Sequence, residues 1–160
     1  MILLNFATKI NGTSTVAEHD KWITCDSVQL GVGRSITFSG GGKDRDTSNP
    51  NFSEVTITKA TDEASAELFF QAACGKSLGK AEIHFIQTGG GDAKGQAFLK
   101  VELDGAIISS YSLSSGGDRP TESFSINFNK ISYQYDAFDG DKVTTGTPKK
   151  WDVMKNEVWA

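Results

Sequence analysis

From Ile107 to Phe128 the chain reads as two alternating apolar stretches around a polar elbow, Gly116-Gly117-Asp118-Arg119-Pro120, and no other segment constrains the fold as much. Ile108 to Leu113 and Phe124 to Phe128 have the period of two and the β-branched or aromatic content of strands. The glycines of the elbow supply positive-φ positions and its proline a fixed φ, which together make a turn. In the second arm Phe124, Ile126 and Phe128 point one way, and Ser123, Ser125 and Asn127 the other. A strand with one apolar and one small-polar face is half of a sandwich or barrel wall whose outer side meets water or another subunit.

The rest of the chain extends this pattern. Ile2 to Ile10 reads as an opening strand ended by the turn pair Asn11-Gly12, and a second strand begins near Trp22 and alternates through Val28, Leu30 and Val32. Val55 and Ile57 mark a third. Lys80 to Gln87 and Gln96 to Asp104 are strands joined by Thr88 to Gly95, with Ala97, Leu99, Val101 and Leu103 expected to face inward. Asp104-Gly105 reads as a tight hairpin turn into Ala106 to Leu113. The Ile131, Tyr133, Tyr135 stripe, the Asp139-Gly140-Asp141 turn and a closing strand around Trp151 to Val153 complete the set. Between the third strand and Lys80 the period changes to that of a helix over about residues 65–75. Ser65 is its expected N-cap, Glu67 stands in the first turn, Leu68 with Ala72 and Phe69 with Ala73 are spaced i,i+4, and Gly75 ends it. A helix this short needs its Leu68-Phe69 side packed on a sheet. The expected fold is mainly β: a partly closed antiparallel β-barrel or tight sandwich with one flanking helix, in a single domain spanning 1–160.

From Arg34 to Phe52 periodicity gives way to Ser39-Gly40-Gly41-Gly42-Lys43-Asp44-Arg45-Asp46-Thr47-Ser48-Asn49-Pro50, a long extended loop that is unusual inside a compact domain. Its glycines and balanced charges bury too little to fix it in isolation, so its order is expected to come from a partner.

Acidic residues outnumber basic ones 20 to 16, for a net charge of −4, which argues against nucleic acid or an anionic membrane as partner. Met1-Ile2-Leu3-Leu4 is neither a secretory signal nor a span, so no membrane insertion and a cytosolic start are expected. Cys25 and Cys74 are far apart in sequence and read as small buried hydrophobes with free thiols.

Little in the chain reads as catalytic or metal-binding. His19 and His84 have no second histidine or cysteine at ligand spacing, so no metal and no cofactor are expected. No Gly-x-Ser-x-Gly elbow occurs, and Gly31-Val32-Gly33 runs on into Arg34-Ser35-Ile36 instead of a helix. Asp118, Arg119 and Glu122 around Pro120 form an acid/base group on one reading, but a structural elbow held by a local charge pair accounts for them better. The chain is not expected to be an enzyme. A monomeric ligand-binding β-barrel, with Tyr133, Tyr135 and Trp151 as an aromatic platform, is the alternative to an assembling subunit.

The elbow and its flanks also carry a resemblance. Ile108-Ser109-Ser110-Tyr111-Ser112, Gly117-Asp118-Arg119-Pro120-Thr121-Glu122 and Asn127-Phe128 are similar to the "VSSYS…GxDRPTE…NF" run of Hcp, the tube protein of the bacterial type VI secretion system. Asn11-Gly12-Thr13-Ser14 with His19 and Trp22-Ile23 resembles the family's "GES…H…WI". Thr58-Lys59, Asp62, Ala64-Ser65, Leu68, Ala72 and Gly75-Lys76 resemble its "TK..D.AS..L..A..GK", and Tyr133, Tyr135, Trp151 and Asn156 its closing pattern. The chain departs from the family at Ser27 to Gly31, where aromatic residues are common, and at Gly12-Thr13-Ser14. The resemblance implies six-membered rings that stack into an inner tube expelled by a contractile sheath, with tip, sheath and small effector proteins as partners. It implies a protein that waits in the bacterial cytoplasm and is then secreted without a signal peptide. It also implies that the loop reaches neighbouring subunits, through Arg34, Lys43, Asp44, Arg45, Asp46 and Phe52.

Overall fold

The computed structural model describes residues 1–39, 44–87, 95–140 and 142–160. Strands β1 (Ile2–Phe6), β2 (Ile23–Cys25), β3 (Ser27–Gln29), β4 (Val32–Gly33), β5 (Ile36–Ser39), β6 (Asp44–Thr47), β7 (Asn51–Phe52) and β8 (Val55–Ala60) precede helix α1 (Ser65–Cys74). After it come β9 (Ala81–Gln87), β10 (Gln96–Asp104), β11 (Ile107–Ser114), β12 (Thr121–Asn127), β13 (Lys130–Tyr135), β14 (Ala137–Asp139), β15 (Lys142–Thr144), β16 (Lys149–Asp152) and β17 (Glu157–Val158).

Two antiparallel sheets face each other, a seven-stranded one in the order β17-β16-β13-β10-β9-β1-β2 and a four-stranded one in the order β11-β12-β8-β3. This is a sandwich and not a closed barrel. The period-two pattern dictates the arrangement: Val55 and Ile57 of β8, Phe124 and Ile126 of β12, Ile83 of β9 and Val101 and Leu103 of β10 are all fully buried in one core. Each such side chain contributes about 1.5–3 kcal/mol on leaving water. The sheets join where the chain changes layer within a residue or two. Between β2 and β3 the Asp26 N–H donates to Thr58 O at 2.8 Å, so the strand bends from one sheet into the other without losing its partner.

Two expectations change at such corners. Asp104-Gly105 is not a tight hairpin turn, because β10 pairs with β9 and β13 while β11 pairs with β12 in the other sheet. It is a crossing between layers. Gly105 has φ +67°, and a Cβ there would stand 2.5 Å from Asn129 Nδ2, so the crossing needs glycine. The inward row of β10 is also broken, since the register shifts between Ala97 and Leu99. This bulge turns Ala97 to the outer face with Leu3, Trp22 and Ile86, while Val101 and Leu103 stay in the core.

Helix α1 lies against β11, with Leu68 buried and Phe69 61% exposed, its ring edge-on to Tyr111 at 5.9 Å. Ser65 does not cap it. Ala64 holds the N-cap position, and the Asp62 carboxylate accepts the Ala64 N–H at 2.9 Å, freeing the Ser65 hydroxyl for the interior. Gly75 ends the helix at φ +67°, its N–H donating to Gln71 O. Cys25 is buried as expected, but Cys74 is exposed on the last turn of the helix; both thiols are free. Burial pushes the Cys25 thiol up to about 12.

Candidate functional site

The segment expected as a structureless loop forms a β-ribbon. β4 pairs with β7, and β5 with β6, matching Ile36 with Thr47, Thr37 with Asp46 and Phe38 with Arg45. Between the two pairs the Ser48 N–H donates to Ser35 O at 3.0 Å, and the Ser35 N–H to Ser48 Oγ at 2.9 Å. The backbone groups that face across each pair are thus bonded within the ribbon, without a partner chain. Its side chains are not. Val32, Ile36 and Phe38 are 60, 50 and 71% exposed. Arg34, Arg45 and Asp46 are exposed as well, and among the described residues none makes an ion pair with the body. Asp44 opens β6, and Lys43 lies outside the described residues. Phe52 anchors the base of the ribbon, half-buried and edge-on to Phe128 at 6.2 Å.

The elbow behaves oppositely. Gly117 takes φ +108° and Asp118 is exposed, but Glu122 is 1% exposed and does not pair with either neighbour. It follows Phe124 and Ile126 inward and meets Lys59 across the β8–β12 register. Lys59 is itself fully buried, donating from Nζ to Glu122 Oε1 at 2.5 Å, to Asp62 Oδ1 at 2.8 Å and to Ala60 O at 2.9 Å. Glu122 Oε1 also accepts from Ser65 Oγ at 2.9 Å, and Oε2 from the Tyr111 hydroxyl at 2.5 Å. Arg119 turns away and donates from Nε to Thr61 O at 2.8 Å, while the Thr61 N–H and hydroxyl both donate to Pro120 O. A buried ion pair offsets its desolvation only when its remaining hydrogen bonds are met, as they are here. Burial, then the hydrogen bond to Glu122, pushes the Tyr111 phenol up to about 12. Asp118 and Glu122 therefore do not converge as an acid/base group, since one is in solvent and the other is bonded to β8, α1 and β11.

Of the aromatic platform, Trp151 packs on the core opposite Ile131, while Tyr133 and Tyr135 are 46 and 59% exposed. Phe98 touches both Phe85 and Tyr135, with ring centroids 6.3 and 6.4 Å apart.

The structure also joins two residues that 65 positions separate. His19 Nε2 lies 2.8 Å from His84 Nδ1, with Trp22 packed on both rings. Burial, then the neighbouring His19, Lys100 and Lys80 charges, lowers the His84 imidazole to about 4. The pair borders an open cavity of about 550 Å³ that Glu18, Glu82, Lys100 and Asp136 also line. Burial pulls the Asp136 carboxyl upward, but hydrogen bonds from Gln134, the Gly146 N–H and Lys100 hold it below the usual carboxylate range. Sequence spacing gave no sign of the histidine contact, which depends on the Asn11 to Trp22 turn folding back over β1 and β9.

Comparison with known proteins adds the lineage. Residues 4–135 match the family model described as type VI secretion system effector, Hcp. Protein hcp1 of Pseudomonas aeruginosa is 28% identical over 110 residues, covering 66% of this chain and 67% of that protein. A solved type six secretion system protein superposes with a TM-score of 0.88 at 26% identity, over 99% of this chain and 98% of its own. Hcp1 from Salmonella typhimurium does so with a TM-score of 0.75 at 20% identity, over 99 and 97%.

Proposed function

This chain belongs to the Hcp family of type VI secretion effector and tube proteins, and from that premise we propose that it is a non-enzymatic tube subunit. Six copies close into a ring and the rings stack. The whole chain acts as one domain of that ring, waits in the bacterial cytoplasm, and is expelled with small effectors held in the lumen, against sheath and tip partners.

The observation that carries this reading is the ribbon's combination of strands paired with each other and apolar side chains left in water. A free monomer has no reason to hold Val32, Ile36 and Phe38 in water at 60, 50 and 71% exposure. A second copy does, because a ring requires two different complementary patches on each subunit. The exposed Tyr133 and Tyr135, with Phe98 against the Tyr135 ring, form a separate aromatic surface of the kind the ribbon needs. Arg34, Arg45 and Asp46, with Lys43 and Asp44, supply charges that orient the contact, and raised salt should weaken this part first.

Light scattering behind size exclusion is expected to give a mass near six chains, with annular particles by negative-stain microscopy. Replacing residues 36–47 by a short turn should leave a folded monomer that no longer closes or stacks. A wild-type protein that stays monomeric from micromolar to high-micromolar concentration defeats the tube reading. A ring unchanged by the replacement keeps the tube and removes the ribbon from its interface.

A further inference from the structure

Asn11 to Trp22 forms a compact turn on the outer face of the larger sheet, where Val16 and Trp22 pack over Leu3 and Ile86. Its backbone closes on itself: the Gly12 N–H donates to Lys21 O at 2.8 Å, the Ser14 N–H to Trp22 O at 3.1 Å and the Lys21 N–H to Ser14 O at 2.7 Å. Among the described residues one side-chain hydrogen bond ties this turn to the strands beneath it, between His19 Nε2 and His84 Nδ1 at 2.8 Å. The surroundings of the two rings fix where their protons are. His19 Nδ1 lies 3.2 Å from Ala17 O, and a carbonyl only accepts, so that nitrogen carries a hydrogen. In a neutral imidazole the other nitrogen is then an acceptor, and His19 Nε2 accepts from His84 Nδ1–H.

That contact has room for one hydrogen. A further proton placed between the rings sets two N–H groups against each other. Placed on His84 Nε2 instead, it makes a cation on a side chain only 13% exposed, and the Glu82 Oε2 atom, 3.9 Å away, is beyond hydrogen-bond reach. The other carboxylates nearby are committed. On β9 and β10, Lys80 pairs with Glu102 at 3.1 Å, and Lys100, directly opposite His84, pairs with Asp136 at 3.3 Å. On its other side β1 sets the apolar Leu3 against His84 and carries no titratable side chain, and the Met1 ammonium beyond it donates to Ile86 O. From the turn, Glu18, Asp20 and Lys21 are exposed to solvent.

We propose that the His19–His84 contact is an acid-released latch: uptake of a proton by the pair lets the Asn11–Trp22 turn lift from the sheet and bare the Leu3, Trp22 and Ile86 surface. Burial, then the His19, Lys100 and Lys80 charges, lowers His84 from 6.5 to about 4 while the turn is closed. Lifting the turn removes the first two of these causes. Between those values the open form holds the proton and the closed form does not. The closed form therefore has its full stability above pH 6.5 and loses it as pH falls toward about 4. The latch holds at neutral pH and weakens in mild acid, and what it then exposes is an apolar surface that the turn otherwise keeps covered.

The test follows amide hydrogen exchange of the full chain by NMR at about pH 8 and about pH 5, read as protection factors so that the intrinsic pH dependence of exchange drops out. The Gly12, Ser14 and Lys21 amides, bonded within the turn, should lose protection by roughly ten- to thirtyfold over that interval, the upper figure corresponding to the full shift from 6.5 to about 4. Val101 and Leu103, paired on both sides in β10, should stay better protected than the turn at both pH values. His84→Asn keeps an N–H donor for His19 and cannot titrate, so it should reduce the dependence to within about threefold. A wild-type loss under about threefold overturns the latch, as does a dependence that persists at full size in His84→Asn. So do turn amides protected no less than Val101 at both pH values, since the turn would then open only with the whole domain. If His84→Asn fails to fold, carbon-13 titration of the wild-type imidazoles decides: His84 should still be neutral at about pH 5.5, and protonation near 6.5 with the turn amides unmoved overturns the proposal.

Discussion

The Lys59–Glu122 cluster and the β4–β7 ribbon treat their side chains in opposite ways. In the cluster, polar groups are driven inside and every one named has a partner: Lys59 meets Glu122, Asp62 and a carbonyl, and Glu122 meets Lys59, Ser65 and Tyr111. In the ribbon, the strands pair only with each other and the apolar side chains are left outside, Phe38 most of all at 71% exposure. The cluster ties β8, α1, β11 and β12 together and offers nothing to a partner. The ribbon contributes little to the core and offers its surface to one. Resemblance to a family is concentrated in the first region, and the proposed function rests on the second.

The sharpest way to break that contrast is to remove the cluster's central acceptor. Glu122→Ala leaves the buried Lys59 ammonium with Asp62 as its one remaining carboxylate partner and strips the Ser65 and Tyr111 hydroxyls of their acceptor. The expected loss is about 3–5 kcal/mol, read as a fall in urea midpoint at constant slope. A loss under about 1 kcal/mol would mean that the interior holds without this pair. The paired change Lys59→Met with Glu122→Leu should recover much of the loss, since apolar replacements carry no desolvation cost.

Tyr111→Phe is a smaller version of the same test. It removes one hydrogen bond to a charged group and should cost about 1.5–3 kcal/mol. It should also change the alkaline limb of stability. The phenol rises from its ordinary 10.0 to about 12 in the folded chain. Between those values the unfolded chain releases the proton and the folded one retains it, so stability present below pH 10.0 is lost as pH rises through the window. Cys25, raised from 9.0 to about 12, acts in the same direction. The variant's alkaline limb should therefore be shallower but not flat; a limb identical to wild type places the Tyr111 hydroxyl outside the cluster.

The cluster was half legible in the sequence. Lys59, Asp62, Ser65, Tyr111, Arg119 and Glu122 all fall in the stretches that carry the Hcp resemblance, yet the resemblance does not say that they touch. A signal was present. Glu122 shares the parity of Phe124 and Ile126, and Lys59 that of Val55 and Ile57, so strict alternation puts both charges on the inward face. Proximity to Asp118 and Arg119 hid this, because a charge beside a turn is usually solvated. Strand positions and the helix were legible from period alone, whereas the layer crossing at Gly105 and the bulge after Ala97 depend on which strands pair, which period does not encode. The ribbon was missed because β5 and β6 bury almost nothing, and hydrophobic alternation marks only strands that have a core to face. The His19–His84 contact had no local signal at all.

Pro120→Ala probes the elbow that joins β11 to β12, and its expected effect is smaller again. The Pro120 carbonyl keeps its two donors on Thr61 in the variant, so what changes is mainly the freedom of the unfolded chain. The expected loss is about 0.4–1 kcal/mol, with ring formation intact. Loss of the folded circular-dichroism spectrum would assign the elbow a role that its contacts do not show.

The smallest effect on stability is expected where the effect on assembly should be greatest. Phe38→Ser exchanges a ring already in water for a hydroxyl, opposite Arg45 on the ribbon and away from the core. Surface changes of this kind stay within about 0.5 kcal/mol, so the urea midpoint should not move beyond that. Assembly is a different equilibrium. If Phe38 is buried by a neighbouring subunit, the six-chain species should shift toward monomer at a concentration where the wild type is fully assembled, and dilution followed by light scattering will show the shift. A midpoint that falls by more than about 1 kcal/mol would show the ribbon to be part of the fold's own support. An unmoved midpoint with an unmoved mass would leave the exposed apolar row without a partner in the ring and direct attention to stacking between rings. The contrast between the two regions survives only if Glu122→Ala unfolds the subunit without being an interface change, and Phe38→Ser opens the interface without being a folding change.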